Sequence, residues 1–242
     1  MLIGEKYRVR LSAAMCKLGI YVYWFPDIPN VDFRVSGHID LGAIHLGTNR
    51  ILLSEEFMSG YDNLVNYFTK RGFRIFWSKN LLTAKFPGDC NLNACILGEK
   101  IIHRLAITES ELMSHFSIDK RINVSQGYTK CSICVVNENS VITADENISA
   151  VLTKLGVNVL LITPGCITLE GYDTGFIGGA TFKLSRNELA FTGQLNNHPD
   201  KARIESFLEL NDVKPVYLTD DPIFDIGSAI PVIELYDDSV TV

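Results

Sequence analysis

The chain has 242 residues, 47% of them hydrophobic and 21% charged, with a net charge of -6. That is enough for one large domain or two small ones with a substantial core, and it excludes disorder, which needs fewer apolar residues. No Lys/Arg-rich run supplies the basic footprint of a nucleic-acid binder, so no nucleic-acid partner is expected.

In chain order, Glu5, Lys6, Arg8 and Arg10 interrupt any signal-peptide core. A helix is expected over 11–18, stopped by Gly19, with a strand over 20–25. "HIDLGAIHLGTNRILLS" reads as a hairpin. Ser54 then caps a second helix, whose Phe57, Tyr61, Leu64 and Phe68 form one apolar stripe. Gly72 ends it and a strand follows over 73–77. "LNACILGEKIIHRL" is the next hairpin, and Thr108 with Glu111 forms a capping-box pattern for a third helix. "CSICVVNENSVIT" is followed by a helix over 145–155, Gly156 and the strand "VNVLLI". "GGATFKLSRNELAFTG" precedes a fifth helix opened by "NHPD", with Pro199 suited to its first turn and a strand over 213–218 after it. "FDIGSAIPVIEL" comes last as a hairpin strand without a helix.

No apolar stretch reaches the ~18–20 residues of a bilayer span. A cytoplasmic protein with no membrane partner is therefore expected, its six cysteines reduced. No Pro/Ser/Gly-rich linker divides residues 1–242, so a single domain is expected. Successive hairpin–helix–strand units lie about fifty residues apart, a period of ring or propeller architectures. The first helix lacks a hairpin and the last strand lacks a helix, so the C-terminal strands are expected to complete the N-terminal unit. The fold class is then α/β, a five-bladed ββαβ pseudo-symmetric propeller with no exposed sheet edges.

In such a ring the strand entrances converge on the axis. They are "GHID", "LNAC", "GYTKC", "YDTG" and "FDIGS". His38, Asp40, Asn93, Cys131, Asp173, Asp225 and Ser228 would then share one site holding a nucleophile, a base and several carboxylates.

On these motifs the chain resembles the pentein, or guanidino-group-modifying, superfamily, and within it the agmatine deiminase branch. It also resembles a family of uncharacterised bacterial proteins assigned this fold. "GHID" resembles the Gly-His-x-Asp strand of the catalytic His and a guanidinium-binding Asp. "LNACILGEKII" resembles the hairpin that follows it. "GYTKC" resembles the Gly-x-x-His-Cys motif ending in the nucleophile, "YDTG" resembles Arg-Asp-Thr-Gly, and "FDIGS" resembles Glu-Gly-Gly-Ser/Asp. In that family the Asp-Thr-Gly and Glu-Gly-Gly motifs come first and the cysteine last, so this chain resembles a circular permutation with the cyclic order kept. Lys130, Tyr172, Asp225 and Ile226 depart from the family's letters.

The resemblance implies a hydrolase or amidinotransferase acting on a small cationic guanidino compound, with no metal or organic cofactor. Cys131 is the implied nucleophile and His38 the acid/base. Asp40 and Asp173 grip the guanidinium, and Asp225, Ser228 and Asn93 are secondary contacts. Carboxylates bind a planar guanidinium through paired charge-assisted hydrogen bonds. Cations such as His38, Lys130 or the substrate itself favour the attacking thiolate. The covalent intermediate is a thiouronium, completed by water or by an amine.

Other readings remain open. Cys131 can be a plain buried thiol, His38 a structural histidine, and Asp173 and Asp225 turn residues. A zinc half-site at Cys131 and Cys134 lacks a second Cys-x-x-Cys or a His-x₃₋₅-His partner. A redox pair normally opens a helix, whereas both cysteines lie on a β-patterned segment, with Cys134 facing the core. "GFIGGA" lacks the Lys-Ser/Thr of a phosphate loop and reads as room for close backbone approach. His45 reads as structural, and His103, His115 and His198 as surface or capping groups. The alternative function is a non-catalytic ring binding a small ligand or a protein, or a pocket that has lost turnover. If Cys131 is sealed from solvent, the binding reading wins over the enzyme. Oligomeric state is silent.

Overall fold

The computed structural model describes residues 1–233. β1 (Leu2–Gly4) and helix α1 (Arg8–Lys17) lead to β2 (Tyr23–Phe25). A one-turn helix α2 (Ile39–Gly42) enters β3 (Ala43–His45) and β4 (Arg50–Leu53), followed by α3 (Asp62–Thr69) and β5 (Arg74–Trp77). Then come β6 (Cys95–Leu97), β7 (Lys100–His103), α4 (Ser110–Ser114) and β8 (Arg121–Asn123). A second one-turn helix α5 (Thr129–Ser132) enters β9 (Ile133–Asn137) and β10 (Ser140–Thr143), followed by α6 (Glu146–Lys154) and β11 (Asn158–Leu161). β12 (Thr181–Ser185), β13 (Glu188–Phe191), α7 (Lys201–Glu209) and β14 (Lys214–Tyr217) complete the elements.

Each hairpin pairs antiparallel, and the strand after the helix returns parallel to the hairpin's second strand. This makes sheets β3-β4-β5, β6-β7-β8, β9-β10-β11 and β12-β13-β14. β1 pairs parallel with β2 around α1. On its other side Leu2 bridges antiparallel to Ile230, with N–H···O distances of 2.9 and 3.0 Å. β1 is thus flanked as β4 is. Among the described residues no helix is long and apolar enough to cross a membrane.

The expected helix exits hold at Gly19, Gly72 and Gly156, each with positive φ. After each, a backbone N–H reaches back to the last turn: Ile20 to Met15, Phe73 to Phe68 and Val157 to Leu152. These are Schellman-type closures. α7 ends the same way without glycine, at Asp212 with φ 56° and Val213 N–H bonded to Leu208 O.

Four helix starts differ from expectation: α1 begins at Arg8 rather than 11, Pro199 lies ahead of the Asp200 N-cap of α7, and the second and third helices start late or cap differently. Ser54 opens a single 3-10 turn (Glu55–Phe57), and α3 starts only at Asp62 because Gly60 adopts φ 79° and breaks the run. Phe57 is still fully buried, edge-on to Phe25 and Tyr61, so the apolar stripe survives the break. Thr108 does not cap α4. Its hydroxyl bonds His103 Nδ1 at 2.7 Å, and the Glu109 carboxylate caps the helix through Glu111 N.

The last expected strand is not regular. Gly227 and Ser228 have φ 65° and 64°, a left-handed conformation no strand can hold. Its final residues, 234 and 235, lie outside the described residues. Apolar helix faces cover the sheets, for example Leu64 and Phe68 in one core cluster with Ile51 and Leu53 of β4, and Ile204 and Leu208 in one with Phe191 of β13. The strand entrances therefore start from rigid sheet ends.

Candidate active site

The functional side chains sit just ahead of the strands. Asp40 is three residues before β3, and Asn93 and Cys131 are two before β6 and β9. His38 caps α2 in an extended conformation, which turns Asp40 inward in the following helical turn. Cys131 lies in α5, a helical turn rather than the strand its pattern suggested; Cys134 does lie on β9, in the core.

Asn93 joins these two turns. Its backbone carbonyl accepts from Thr129 N and Lys130 N at 3.1 and 3.0 Å. Its side-chain oxygen accepts from Cys131 N at 3.2 Å. Its amide donates to Cys131 Sγ at 3.3 Å and to Asp40 O at 3.4 Å. The Cys131 thiol in turn donates to Asp40 Oδ2 at 2.9 Å.

Asp225 enters from the C-terminal segment. Its oxygens accept from Phe176 N and Gly227 N at 2.9 and 2.8 Å, and Oδ1 lies 3.9 Å from His38 Nδ1. Lys130 Nζ donates to Ser228 Oγ at 2.8 Å, which directs the ammonium to Ser228 rather than to the thiol. "GGA" gives the expected close approach. A Cβ on Gly178 would meet Lys130 O and Ile133 O at 2.4 and 2.3 Å, and one on Gly179 would meet Asp225 Oδ1 at 2.0 Å.

Of the expected set, His38, Asp40, Asn93, Lys130, Cys131, Asp225 and Ser228 come together. Asp173 does not join their hydrogen bonds and lies exposed in a turn. Its motif is eight residues ahead of β12, so Gly178 and Gly179 occupy the entrance instead.

Two contributors had no motif to reveal them. Tyr7 is buried with its ring centroid 6.1 Å from that of His38. His103, expected at the surface, is fully buried and bonds Gly127 O at 2.7 Å, which fixes the start of the cysteine turn. His45 is held by Thr48 O at 2.9 Å, as a structural histidine is.

Burial in the site disfavours charge. Burial raises the Asp40 carboxyl to about 7, partly offset by the Lys130 charge. Burial lowers His38, against an upward pull from Asp225. Burial, then the charges of Asp40 and Asp225, push the Cys131 thiol well above its ordinary range. The activation expected from neighbouring cations is thus not built into the protein alone. Cys131 and His38 are each only 2% exposed.

Asp40 Oδ1 and His38 Nε2 are buried without a hydrogen-bond partner among the described residues. Ligand atoms of His38, Asp40 and Cys131 lie within 4.8 Å of one another, a donor set that also suits a zinc-like ion. Asp40 and Lys130 additionally line a cavity of about 430 Å³.

A family model described as a family of unknown function (DUF6873) matches residues 2–230. No curated protein matches the chain. Among solved structures it is similar to DDAH from Pseudomonas aeruginosa, a cysteine-to-serine mutant complexed with citrulline. Identity is 11% and TM-score 0.55, covering 93% of this chain and 85% of that one. It is also similar to SxtG, an amidinotransferase of the saxitoxin pathway from Microseira wollei, at 9% identity and TM-score 0.54, covering 95% and 82%. A dimethylarginine dimethylaminohydrolase adduct with S-methyl-L-thiocitrulline aligns at 11% identity and TM-score 0.52, covering 88% and 82%. The fold is thus that of the guanidino-group-modifying, or pentein, proteins.

Proposed function

The chain belongs to the DUF6873 family, and from that premise we propose that it is a cysteine-dependent enzyme acting on a guanidino group by hydrolysis or amidino transfer. Its units stand as five blades in a closed ring. In support, each entrance bonds the next, from Asp40 to Asn93, Cys131, Gly179 and Ser228, and Ile230 pairs back to β1.

The observation that carries the function is Asp40. One oxygen holds the nucleophile at 2.9 Å and the other is a buried acceptor without a partner. A guanidinium suits that acceptor: its cationic N–H groups satisfy Oδ1, and its carbon arrives beside Sγ. Its charge also opposes the effect of burial, because a nearby cation stabilises both the Asp40 carboxylate and a Cys131 thiolate.

The thiol proton passes to His38, and Sγ bonds to the guanidinium carbon. As a C–N bond breaks, His38 returns the proton to the departing amine. Water then attacks the thiouronium, giving a ureido product and restoring the thiol; an amine in its place completes amidino transfer. Asp225, 3.9 Å from His38 Nδ1, stabilises the transient imidazolium. Ser228 and Asn93 position Lys130 and Cys131.

The test is alkylation with 2-chloroacetamidine and peptide mapping. Saturable labelling confined to Cys131, slowed by guanidino compounds, is expected; slow labelling scattered over several cysteines overturns the reading. The second reading, a ring that binds a cation without turnover, is favoured by the burial of Cys131. It predicts protection by guanidino compounds without product.

A further inference from the structure

The cavity beside Asp40 is lined mostly by apolar side chains, with Asp40, His45 and Lys130 as its polar ones. Asp40 and Lys130 line it together with apolar groups of β3, β6 and the 229–233 segment, including Ile44, Ile96, Ile230 and Val232. Its remaining polar lining group, His45, already holds Thr48 O through Nε2, and burial lowers its pKa, so it stays neutral at pH 7. Lys130 donates to Ser228 Oγ and to Gly178 O. Asp40, the one carboxylate in the described lining, has its Oδ1 buried and without a partner among the described residues.

We infer that this cavity is the subsite for the guanidine's substituent, and that the substituent is an uncharged hydrocarbon rather than an amino acid or amino-alkyl tail. This rests on the reading of the site given above. A ligand headed by a guanidinium on Asp40 must lay the rest of itself along Ile44, Ile96, Ile230 and Val232. A terminal ammonium there finds no second carboxylate among the described lining residues, an α-carboxylate must compete for a Lys130 already bonded to Ser228 and Gly178 O, and the His45 ring is the one further polar side chain in that lining, so burying either charge incompletely paired is unfavourable. A hydrocarbon chain gains instead from every methylene removed from water. About 430 Å³ is within the range of small-ligand sites.

Calorimetric binding of ethyl-, butyl- and hexylguanidine, agmatine and arginine to the Cys131→Ala protein tests this without requiring turnover. Affinity is expected to rise by about fourfold per added methylene, with butylguanidine at least ~tenfold tighter than agmatine, which adds only a terminal ammonium. Ile96 is half-buried on the cavity wall. Ile96→Asp is expected to reverse the order of butylguanidine and agmatine while Ile96→Val preserves it. A thermal melt confirms that each variant is folded.

Affinity independent of chain length, or arginine and agmatine binding more tightly than the alkylguanidines, overturns the inference. The two readings fail separately. Alkylguanidines that bind in this order but are never converted by the wild-type protein remove the catalytic reading and leave the subsite. Turnover of arginine-type compounds, unaffected by Ile96→Asp, leaves catalysis and removes the subsite.

Discussion

Replacing Asp40 by Asn should move two cysteine reagents in opposite directions. Asp40 Oδ2 lies 2.9 Å from Cys131 Sγ, and its negative charge is among the causes that hold the thiol protonated. At an effective dielectric of about 20, two unit charges at that separation repel by about 6 kcal/mol, the equivalent of about 4 pKa units. Asp40 itself titrates near 7, so only part of that repulsion operates at neutral pH. A neutral alkylating agent such as iodoacetamide should therefore label Cys131 roughly ten- to a hundredfold faster at pH 8 in Asp40→Asn than in the wild type. A cationic amidine should instead lose its anchor. Removing one charged hydrogen-bond acceptor costs about 1.5–3 kcal/mol, so its half-saturating concentration should rise by about tenfold or more. Stopped-time mass spectrometry of the Cys131 peptide with each reagent, from pH 6 to 9, reads both effects. If labelling by the neutral reagent and capture of the cationic one change together, the variant has only altered access to a buried thiol, and the charge argument is wrong.

The same variant has a pH signature in stability. The folded-state pKa of Asp40 lies above its ordinary 3.8, at about 7, so its contribution is lost as pH rises through that interval. Asp40→Asn should gain on the wild type between pH 4 and 8, by on the order of 4 kcal/mol at the limit; parallel urea-unfolding profiles would refute this. Asn93→Ala leaves the Cys131 N–H and the Asp40 carbonyl without partners and should cost about 2–4 kcal/mol, read as a fall of roughly 4–16 °C in Tm. Gly179→Ala drives a Cβ into the Asp225 carboxylate; a cost of about 1–3 kcal/mol and loss of saturable labelling are expected, and unchanged labelling kinetics would count against Asp225 acting on His38. Asp173→Ala should leave cationic labelling within about twofold, because Asp173 is exposed and outside the cluster; a tenfold loss would put that turn back in the site.

Periodicity and glycine punctuation made the repeat legible, because Gly19, Gly72 and Gly156 hold positive φ where helix gives way to strand. The fourth such exit was invisible because Asp212 takes the left-handed position that Asn, Asp and Gly share. The site was legible where a motif lies two or three residues ahead of its strand, as for Asp40, Asn93 and Cys131. It misled at "YDTG", where an irregular stretch intervenes before β12 and Gly178 and Gly179 take the equivalent place. Tyr7 and His103 carry no motif, and only the packing of α1's approach and β7 brings them to His38 and Gly127. The protonation state of the cysteine was the least legible. A residue list shows cations near Cys131, whereas burial and two carboxylates outweigh them.

That last point explains why the site can be both part of the core and reactive. Thiol, imidazole and the Asp40 carboxyl can all be neutral together, so these three groups are spared the large cost of burying an unpaired charge. Asn93 and Gly179 tie it into the backbone of neighbouring entrances, so its geometry is fixed by the fold rather than by flexible side chains. Within the cluster, Asp40 Oδ1 and His38 Nε2 are the buried side-chain atoms without a partner among the described residues. A cation delivered to Asp40 shifts proton affinities in the direction attack requires: the carboxyl becomes a carboxylate, and the thiolate becomes less unfavourable. A neutral isostere of equal shape would bind without that shift. A guanidino compound and its uncharged urea analogue should therefore differ in their effect on Cys131 as well as in affinity: the first should lower the pH midpoint of thiolate absorbance near 240 nm, and the second should leave it in place. Equal midpoints for the two would show that the cluster stabilises its charge without the ligand, and substrate-assisted activation would have to be abandoned.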